Sequence, residues 1–240
     1  MQVYQKYYYK KDLKDKIFSL DYILIFLVLV LGFTSFLVMY SIDGGKFGYY
    51  TQNHIVRFFI FFTLFIILSF TKLKYWYHSA YLLYGIFLIL LIFVDFFGIT
   101  ASGSKRWLSL FAFNIQPSEL MKIGLIIFLA KYYHKIQSHQ VNSFKFLLQP
   151  FFAITIVALL IIRQPDLGTA LLIVGGSVAV IYLAGLRIKY LIYSFFLLLI
   201  SAPVVIAFLK PYQKLRILTF LNPERDPLGA GYQIIQSKIA

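Results

Sequence analysis

The chain has no cysteine. Disulfides, thiolate metal sites and cysteine nucleophiles are thereby excluded. Carboxylates are scarce too: nine Asp and Glu stand against 23 Lys and Arg in 240 residues, for a net charge of +14. Charged residues make up only 13% of the chain, against about 25% in an ordinary soluble domain. The four histidines, His54, His78, His134 and His139, fall at no metal-ligand spacing; a helical pair of ligands stands at i, i+4. No protein metal motif is present, and no metal site is assigned. Nucleic acid is excluded as a partner because the cations are dispersed between apolar runs, and no basic domain stands apart from them.

What remains is grease and aromatic rings. The chain is 60% hydrophobic, with 26 Phe and 19 Tyr. Its apolar runs predict an all-α fold, a polytopic integral membrane helix bundle. The first run, Leu20 to Tyr40, is 21 residues long, which at helical rise is roughly 31 Å and crosses a hydrocarbon core. It is too long for a signal-peptide core and ends in no small-residue cleavage site, so it reads as a retained span. Seven spans are expected, at approximately 20–40, 55–70, 80–97, 117–133, 148–162, 168–184 and 190–209. Pro203 should kink the last of them. Residues 1–209 thus form the bundle, and 210–240 begin a long extracytoplasmic loop. Lys214 to Leu218 within it suggest an amphipathic piece lying on the membrane. Asn222 to Gly229 is rich in turn formers, and Tyr232 to Ala240 restarts a helical pattern.

Charge bias orients the bundle. The segments on one side, Met1–Ser19 and the loops holding Lys72, Lys74, Lys131, Lys135, Lys145, Arg187 and Lys189, carry 12 cations. The other side, up to Arg163, carries five: Lys46, Arg57, Lys105, Arg106 and Arg163. The positive-inside rule places the N-terminus in the cytoplasm. Five cations outside still exceed what anchoring needs, and they suit an anionic headgroup or a pyrophosphate.

The outer stretch Ser102 to Lys122 carries the most chemistry. Arg106 stands beside Trp107, a pairing that suits either phosphate binding or interfacial anchoring. Two helix starts then share one grammar: Gln116-Pro117-Ser118-Glu119 and Gln164-Pro165-Asp166-Leu167. Pro at the first helical position loses nothing, because its N–H would be unpaired anyway. Gln is then expected at N-cap, with Ser118 and Asp166 at N2 facing the helix dipole. Glu119 at N3 is expected to reach back in a capping box. Glu119 and Lys122 are three apart and can pair on one helix face. Ionisable groups inside a span cost about 2.5–3.5 kcal/mol at its centre, so such a pair points to a bundle interior or a wet cavity.

At these residues the chain resembles the SEDS family of bacterial cell-wall proteins, which includes RodA, FtsW and SpoVE. The resemblance covers nearly the whole chain. Four motifs carry it in order: Gly103-x-x-Arg106-Trp107-Leu108, Gln116-Pro117-Ser118-Glu119-x-x-Lys122, Gln164-Pro165-Asp166-Leu167-Gly168-Thr169, and Asn222-Pro223 through Asp226-Pro227, Gly229, Gly231-Tyr232-Gln233 and Gln236-Ser237. The last motif, with Leu-Gly-Ala-Gly-Tyr and Gln-Ser-Lys-Ile-Ala, looks more like the elongation member RodA than the division member FtsW.

The resemblance implies a ten-span peptidoglycan glycosyltransferase of the bacterial inner membrane. Such a protein polymerises lipid II, a precursor linked to undecaprenyl pyrophosphate, during cell elongation and shape maintenance. It works with a class B penicillin-binding protein and the cell-elongation machinery. By motif, Arg106, Trp107, Gln116, Ser118, Glu119, Lys122, Asp166, Gln236 and Ser237 are substrate-binding or cavity residues. The family's catalytic aspartate is expected beyond Ala240, so the catalytic residue is unknown here. The chain is read as an N-terminal fragment with seven of ten spans, catalytically incomplete alone. No cofactor is assigned, and a divalent cation stays open. Two other readings compete: a lipid II flippase and a non-catalytic scaffold for a penicillin-binding protein. A flippase needs charged pairs at mid-span, whereas Arg57, Asp95, Glu119, Arg163 and Asp166 gather toward the outer side.

Overall fold

The computed structural model describes residues 13–101, 104–110, 113–164, 166–208, 214–215, 218–219, 222–225 and 232–239. It is mostly helical. A short helix α1 (Leu13–Phe18) leads into α2 (Tyr22–Ile42), α3 (Tyr49–Ser69) and α4 (Leu73–Phe97). Three strands follow, β1 (Ile99–Ala101), β2 (Ser104–Leu110) and β3 (Phe113–Ile115). Then come α5 (Pro117–His134), α6 (Phe144–Arg163), α7 (Leu167–Leu183) and α8 (Ile188–Phe208). A 3₁₀ turn (Pro223–Arg225) and α9 (Tyr232–Ile239) complete the described elements. Among the described residues, four helices, α2, α3, α4 and α6, are long and apolar enough to cross a membrane, and α7 and the first part of α8 are shorter apolar helices.

The helices extend beyond the apolar runs that foretold them. α3 starts at Tyr49 and α4 at Leu73, so Thr51, Gln52 and Asn53, and likewise Lys74, Trp76 and Tyr77, are helical. The apolar run measures the depth of hydrocarbon, whereas the backbone keeps its hydrogen-bond ladder through the interface as well. α6 starts at Phe144 because Ser143 takes the extended N-cap conformation (φ −79°, ψ 136°). The all-α expectation needs a correction between α4 and α5, where the described residues form an antiparallel sheet in the order β1-β2-β3. Ile99 pairs with Trp107, and Leu108 with Ile115. Backbone amides of this connecting segment need partners, and strand pairing supplies them. α8 continues through Pro203. Arg216, Ile217 and 226–231 lie outside the described residues, as do Met1–Asp12, Ser102, Gly103 and Pro165.

Residues 1–79 and 80–240 form two compact units, with the boundary inside α4. In the first unit, α2 and α3 make a hairpin turned by Gly44 (φ 70°) and Gly45 (φ 74°). Only glycine enters that left-handed region without strain. Asp43, at the end of α2, accepts hydrogen bonds from the Thr51 amide (2.7 Å) and hydroxyl (2.6 Å). It thereby caps α3, whose own N-cap, Gly48, has no side chain to do so. Gly32 lets the ring of Phe58 lie against the α2 backbone. In a membrane, where lipid is as apolar as leucine, such small-residue contacts bring helices together.

In the second unit, α5, α6 and α7 pack on one another. Leu91, Met121, Leu125, Leu129, Val157 and Ile161 are buried at the centre. Gly124 leaves room for the Phe87 ring, and the rings of Tyr81 and Tyr84 lie 5.3 and 4.6 Å from that of Phe128. At the end of the bundle where α6 starts, Asn142 donates to Gly185 O (3.1 Å) and accepts from Arg187 N (2.9 Å). This pins the α5–α6 loop to the α7–α8 turn. The opposite end holds β2, the start of α5 and the α6–α7 turn.

Candidate functional site

Three segments distant in sequence meet at Asp166. The first is β2. Alternate residues of a strand face opposite ways, so Arg106 and Leu108 share one face while Lys105 and Trp107 share the other. Leu108 is buried, and Arg106 Nη1 lies 3.5 Å from Asp166 Oδ2, with side chains only 21% and 11% exposed. The second segment is the start of α5, where the N-cap residue Gln116 donates to Asp166 Oδ2 (3.4 Å) and to Ser118 Oγ (3.1 Å). The third is the α6–α7 turn, where Asp166 Oδ1 accepts from the Thr169 amide (3.2 Å).

This geometry corrects the expected helix grammar in two places. α7 starts at Leu167 with Asp166 as its N-cap, and Gln164 caps the C-terminus of α6. Asp166 therefore does not stand at N2. The short carboxylate reaches the N3 amide of its own helix, which suits aspartate for N-cap. Gln116 is the N-cap of α5 as expected, but it makes no side-chain bond to that helix's amides. Glu119 pairs with Lys122 at 2.8 Å, where a capping box would have turned it back to Gln116.

The two ionic groups differ in character. Arg106–Asp166 is largely sheltered, and its carboxylate is fixed by a cation, an amide side chain and a helix amide. The Arg106 guanidinium is thereby held in one orientation by the carboxylate it faces. The Glu119–Lys122 pair is 53% and 29% exposed, and exposed pairs contribute about 1 kcal/mol or less. Trp107 is half-buried on the other strand face, beside β1. Ser118 is buried at the start of α5. Gln236 and Ser237 are exposed on α9, and the Ser237 hydroxyl donates to Ile234 O (2.8 Å). Contacts of α9 run to the Pro223–Arg225 turn, and the structure does not draw these two residues to Asp166.

Several supports at this end were missed from the sequence. Buried Gln164 donates to Leu91 O (2.9 Å) and ties the α6–α7 turn to α4. Lys105 Nζ donates to Asp95 O (2.8 Å) and Phe96 O (3.1 Å), tying β2 to the end of α4. Arg163 Nε lies 3.6 Å from Asp95 Oδ2 with its side chain 76% exposed. The alternation of Arg106 and Leu108 was the available signal for the strand. Among the described residues, no group of three or more His, Asp or Glu could hold a metal ion.

Comparison with known proteins agrees with these motifs. A model of the cell cycle protein family FtsW/RodA/SpoVE matches residues 17–240. The probable peptidoglycan glycosyltransferase FtsW of Buchnera aphidicola subsp. Schizaphis graminum is 34% identical over 193 residues, covering 80% of this chain and 54% of that protein. Stage V sporulation protein E of Bacillus subtilis is 41% identical over 155 residues, covering 64% and 42%. The chain thus spans about half the length of these curated relatives. A chain from a peptidoglycan synthase complex, solved for its coordination of polymerization and crosslinking, superposes with a TM-score of 0.80 at 33% identity, covering 92% of this chain and 65% of that one. The rod shape determining protein RodA of Thermus thermophilus superposes with a TM-score of 0.61 at 27% identity, covering 76% and 59%. By its sequence, its helical bundle and its motifs, the chain belongs to the FtsW/RodA/SpoVE family of cell cycle proteins.

Proposed function

We propose that this chain contributes seven membrane spans to a peptidoglycan glycosyltransferase that polymerises lipid II at the outer leaflet of the bacterial inner membrane. Its N-terminus is in the cytoplasm. One observation carries the reading: the Arg-Trp, Gln-Pro-Ser-Glu and Gln-Pro-Asp-Leu-Gly segments converge on Asp166 at one end of the bundle. The reaction joins an acceptor sugar hydroxyl to the anomeric carbon of a donor, and the bond from that carbon to the lipid pyrophosphate breaks. A base must take the hydroxyl proton, and cations must hold the leaving pyrophosphate. Arg106, oriented by Asp166 and Gln116, takes the pyrophosphate. Glu119 and Lys122 bind substrate at the helix entrance, where Ser118 lines the cavity and Trp107 meets the lipid. Gln236 and Ser237 close on the substrate from the loop after α8. The base is not among these residues. A class B penicillin-binding protein and the cell-elongation machinery are the partners.

Charge distribution favours polymerisation over lipid transport. Between Lys122 and Lys131, between Lys145 and Arg163, and throughout α7, no Asp, Glu, Lys or Arg occurs. A path for a pyrophosphate headgroup through the bilayer would need charge there. The elongation role rests on Leu228-Gly-Ala-Gly-Tyr232 and Gln236-Ser-Lys-Ile-Ala240. Labelled lipid II given to the full-length protein in proteoliposomes tests the assignment. Glycan polymer on a gel is expected, with Arg106→Ala lowering its rate at unchanged protein level. Wild-type polymer from Arg106→Ala refutes the pyrophosphate role. A fusion concentrated at division septa rather than along the side wall refutes the elongation role.

A further inference from the structure

The end of the bundle opposite Asp166 has a different character. A groove of about 600 Å³ opens there between α6, α7 and α8. Leu147, Ile154, Val178, Leu186, Tyr190 and Leu197 are among its lining residues. Along α6 the lining runs from Leu147 to Leu159. Those twelve steps span roughly 18 Å at helical rise, close to one leaflet of a hydrocarbon core about 30 Å thick. The groove is therefore about one acyl chain deep; it opens at the end away from the Asp166 cluster, at Leu186 and Tyr190, and reaches past the middle of α6.

Its rim is cationic. Lys189 Nζ stands 5.2 Å from the centroid of the Tyr190 ring, and Tyr190 lines the groove. Arg187 adjoins the lining residue Leu186, and Lys145 is two residues before the lining residue Leu147. The Asn142 clasp on Gly185 and Arg187 holds the loop just before α6 against this turn, and Lys145 is the second residue of that helix. Nothing acidic offsets them: no Asp or Glu occurs from Leu120 through Pro165, or from Leu167 through Pro223. Anchoring at an interface calls for scattered cations. Cations at the mouth of a leaflet-deep apolar groove, with no carboxylate on any element forming it, complement one phosphate above one chain.

We propose that this groove binds an anionic glycerophospholipid, with an acyl chain along α6, α7 and α8 and its phosphate at Lys145, Arg187 and Lys189. The assignment of this leaflet to the cytoplasmic side rests on the orientation proposed above, but the site itself does not. The full-length protein in detergent, titrated with phosphatidylglycerol and with phosphatidylcholine under native mass spectrometry, tests it. Phosphatidylglycerol should be retained preferentially. Arg187→Gln with Lys189→Gln should lower that preference at least tenfold, at about fivefold per charge near an anionic surface. Ser194→Phe, which fills the groove, should reduce retention of both lipids. The swap Arg187→Lys with Lys189→Arg keeps both charges and should keep the preference. Equal retention of the two lipids overturns the proposal, as does an unchanged preference in the Gln pair. So does loss of preference in the charge-keeping swap, or displacement of phosphatidylglycerol by polyprenyl phosphate at equal concentration. The readout is independent of the polymerase reading, since a protein inactive on lipid II still reports on this groove.

Discussion

Replacing Asp166 with alanine removes three interactions at once, and their sizes can be separated. Asp166 caps α7 through the Thr169 amide, and loss of such a cap costs about 1 kcal/mol. It also faces Arg106 at 3.5 Å with both side chains mostly sheltered. Breaking a fully buried pair costs about 3–5 kcal/mol; the longer distance and partial solvent access here reduce that to about 1–2. The Gln116 amide loses an acceptor, worth about 0.5–1 kcal/mol. Asp166→Ala should therefore destabilise the bundle by about 2–4 kcal/mol. Asp166→Asn keeps a good N-cap and a neutral acceptor, so its cost should be about 1–2 kcal/mol, nearly all of it charge. Denaturant unfolding of the purified full-length protein in micelles measures both. A double-mutant cycle with Arg106→Met isolates the ionic part. Equal losses for Ala and Asn, or a loss below about 0.5 kcal/mol for Ala, would refute the assignment of Asp166 as both cap and ionic strut.

Other outcomes follow from the same structure. The Thr51 hydroxyl and then its amide hold the Asp43 carboxyl below the usual carboxylate range. That contribution is present above the ordinary aspartate value of about 3.9 and disappears as pH falls through the lowered folded value. Hydrogen exchange at the Thr51 amide should thus stay slow, after correction for intrinsic rate, down to about pH 4 and quicken below it, whereas Asp43→Asn should exchange faster at neutral pH. Gly32→Leu places a side chain where the Phe58 ring lies. It should cost about 1–3 kcal/mol by overpacking, and Phe58→Ala in the same molecule should recover part of it. Glu119→Ala should leave abundance and melting within the small range of an exposed pair, while lipid II polymerisation falls. Loss of abundance instead would assign Glu119 to folding.

The fold was legible where one physical rule decided it. Runs such as Leu20 to Tyr40 are apolar on every side, and only a membrane accommodates that. Pro117 after Gln116 fixed the start of α5 to the residue. Elsewhere two rules competed. For the second helix start, the parallel with Gln116 placed the cap on Gln164, but the reach of a short carboxylate placed it on Asp166. The strands at 99–115 were hidden because their alternation is short and interrupted by the cations that drew attention. The same alternation explains why Arg106 reaches Asp166 while its neighbour Lys105 turns back to the carbonyls of Asp95 and Phe96. Motifs alone singled out the candidate residues. That 106, 116 and 166 share one place was not legible, because only packing of α5 on α7 brings them together. Gln164 escaped notice since a glutamine bonded to a backbone carbonyl leaves no trace in hydropathy.

In the proposed function, the Asp166 end of this bundle serves glycan polymerisation. Proteoliposomes of the full-length protein with fluorescent lipid II, read both for polymer on a gel and for probe crossing the bilayer, test it most directly. Polymer without crossing, with the rate reduced at least tenfold by Arg106→Ala in folded protein, is the expected result. Crossing without polymer would contradict the claim and assign the same cations to transport.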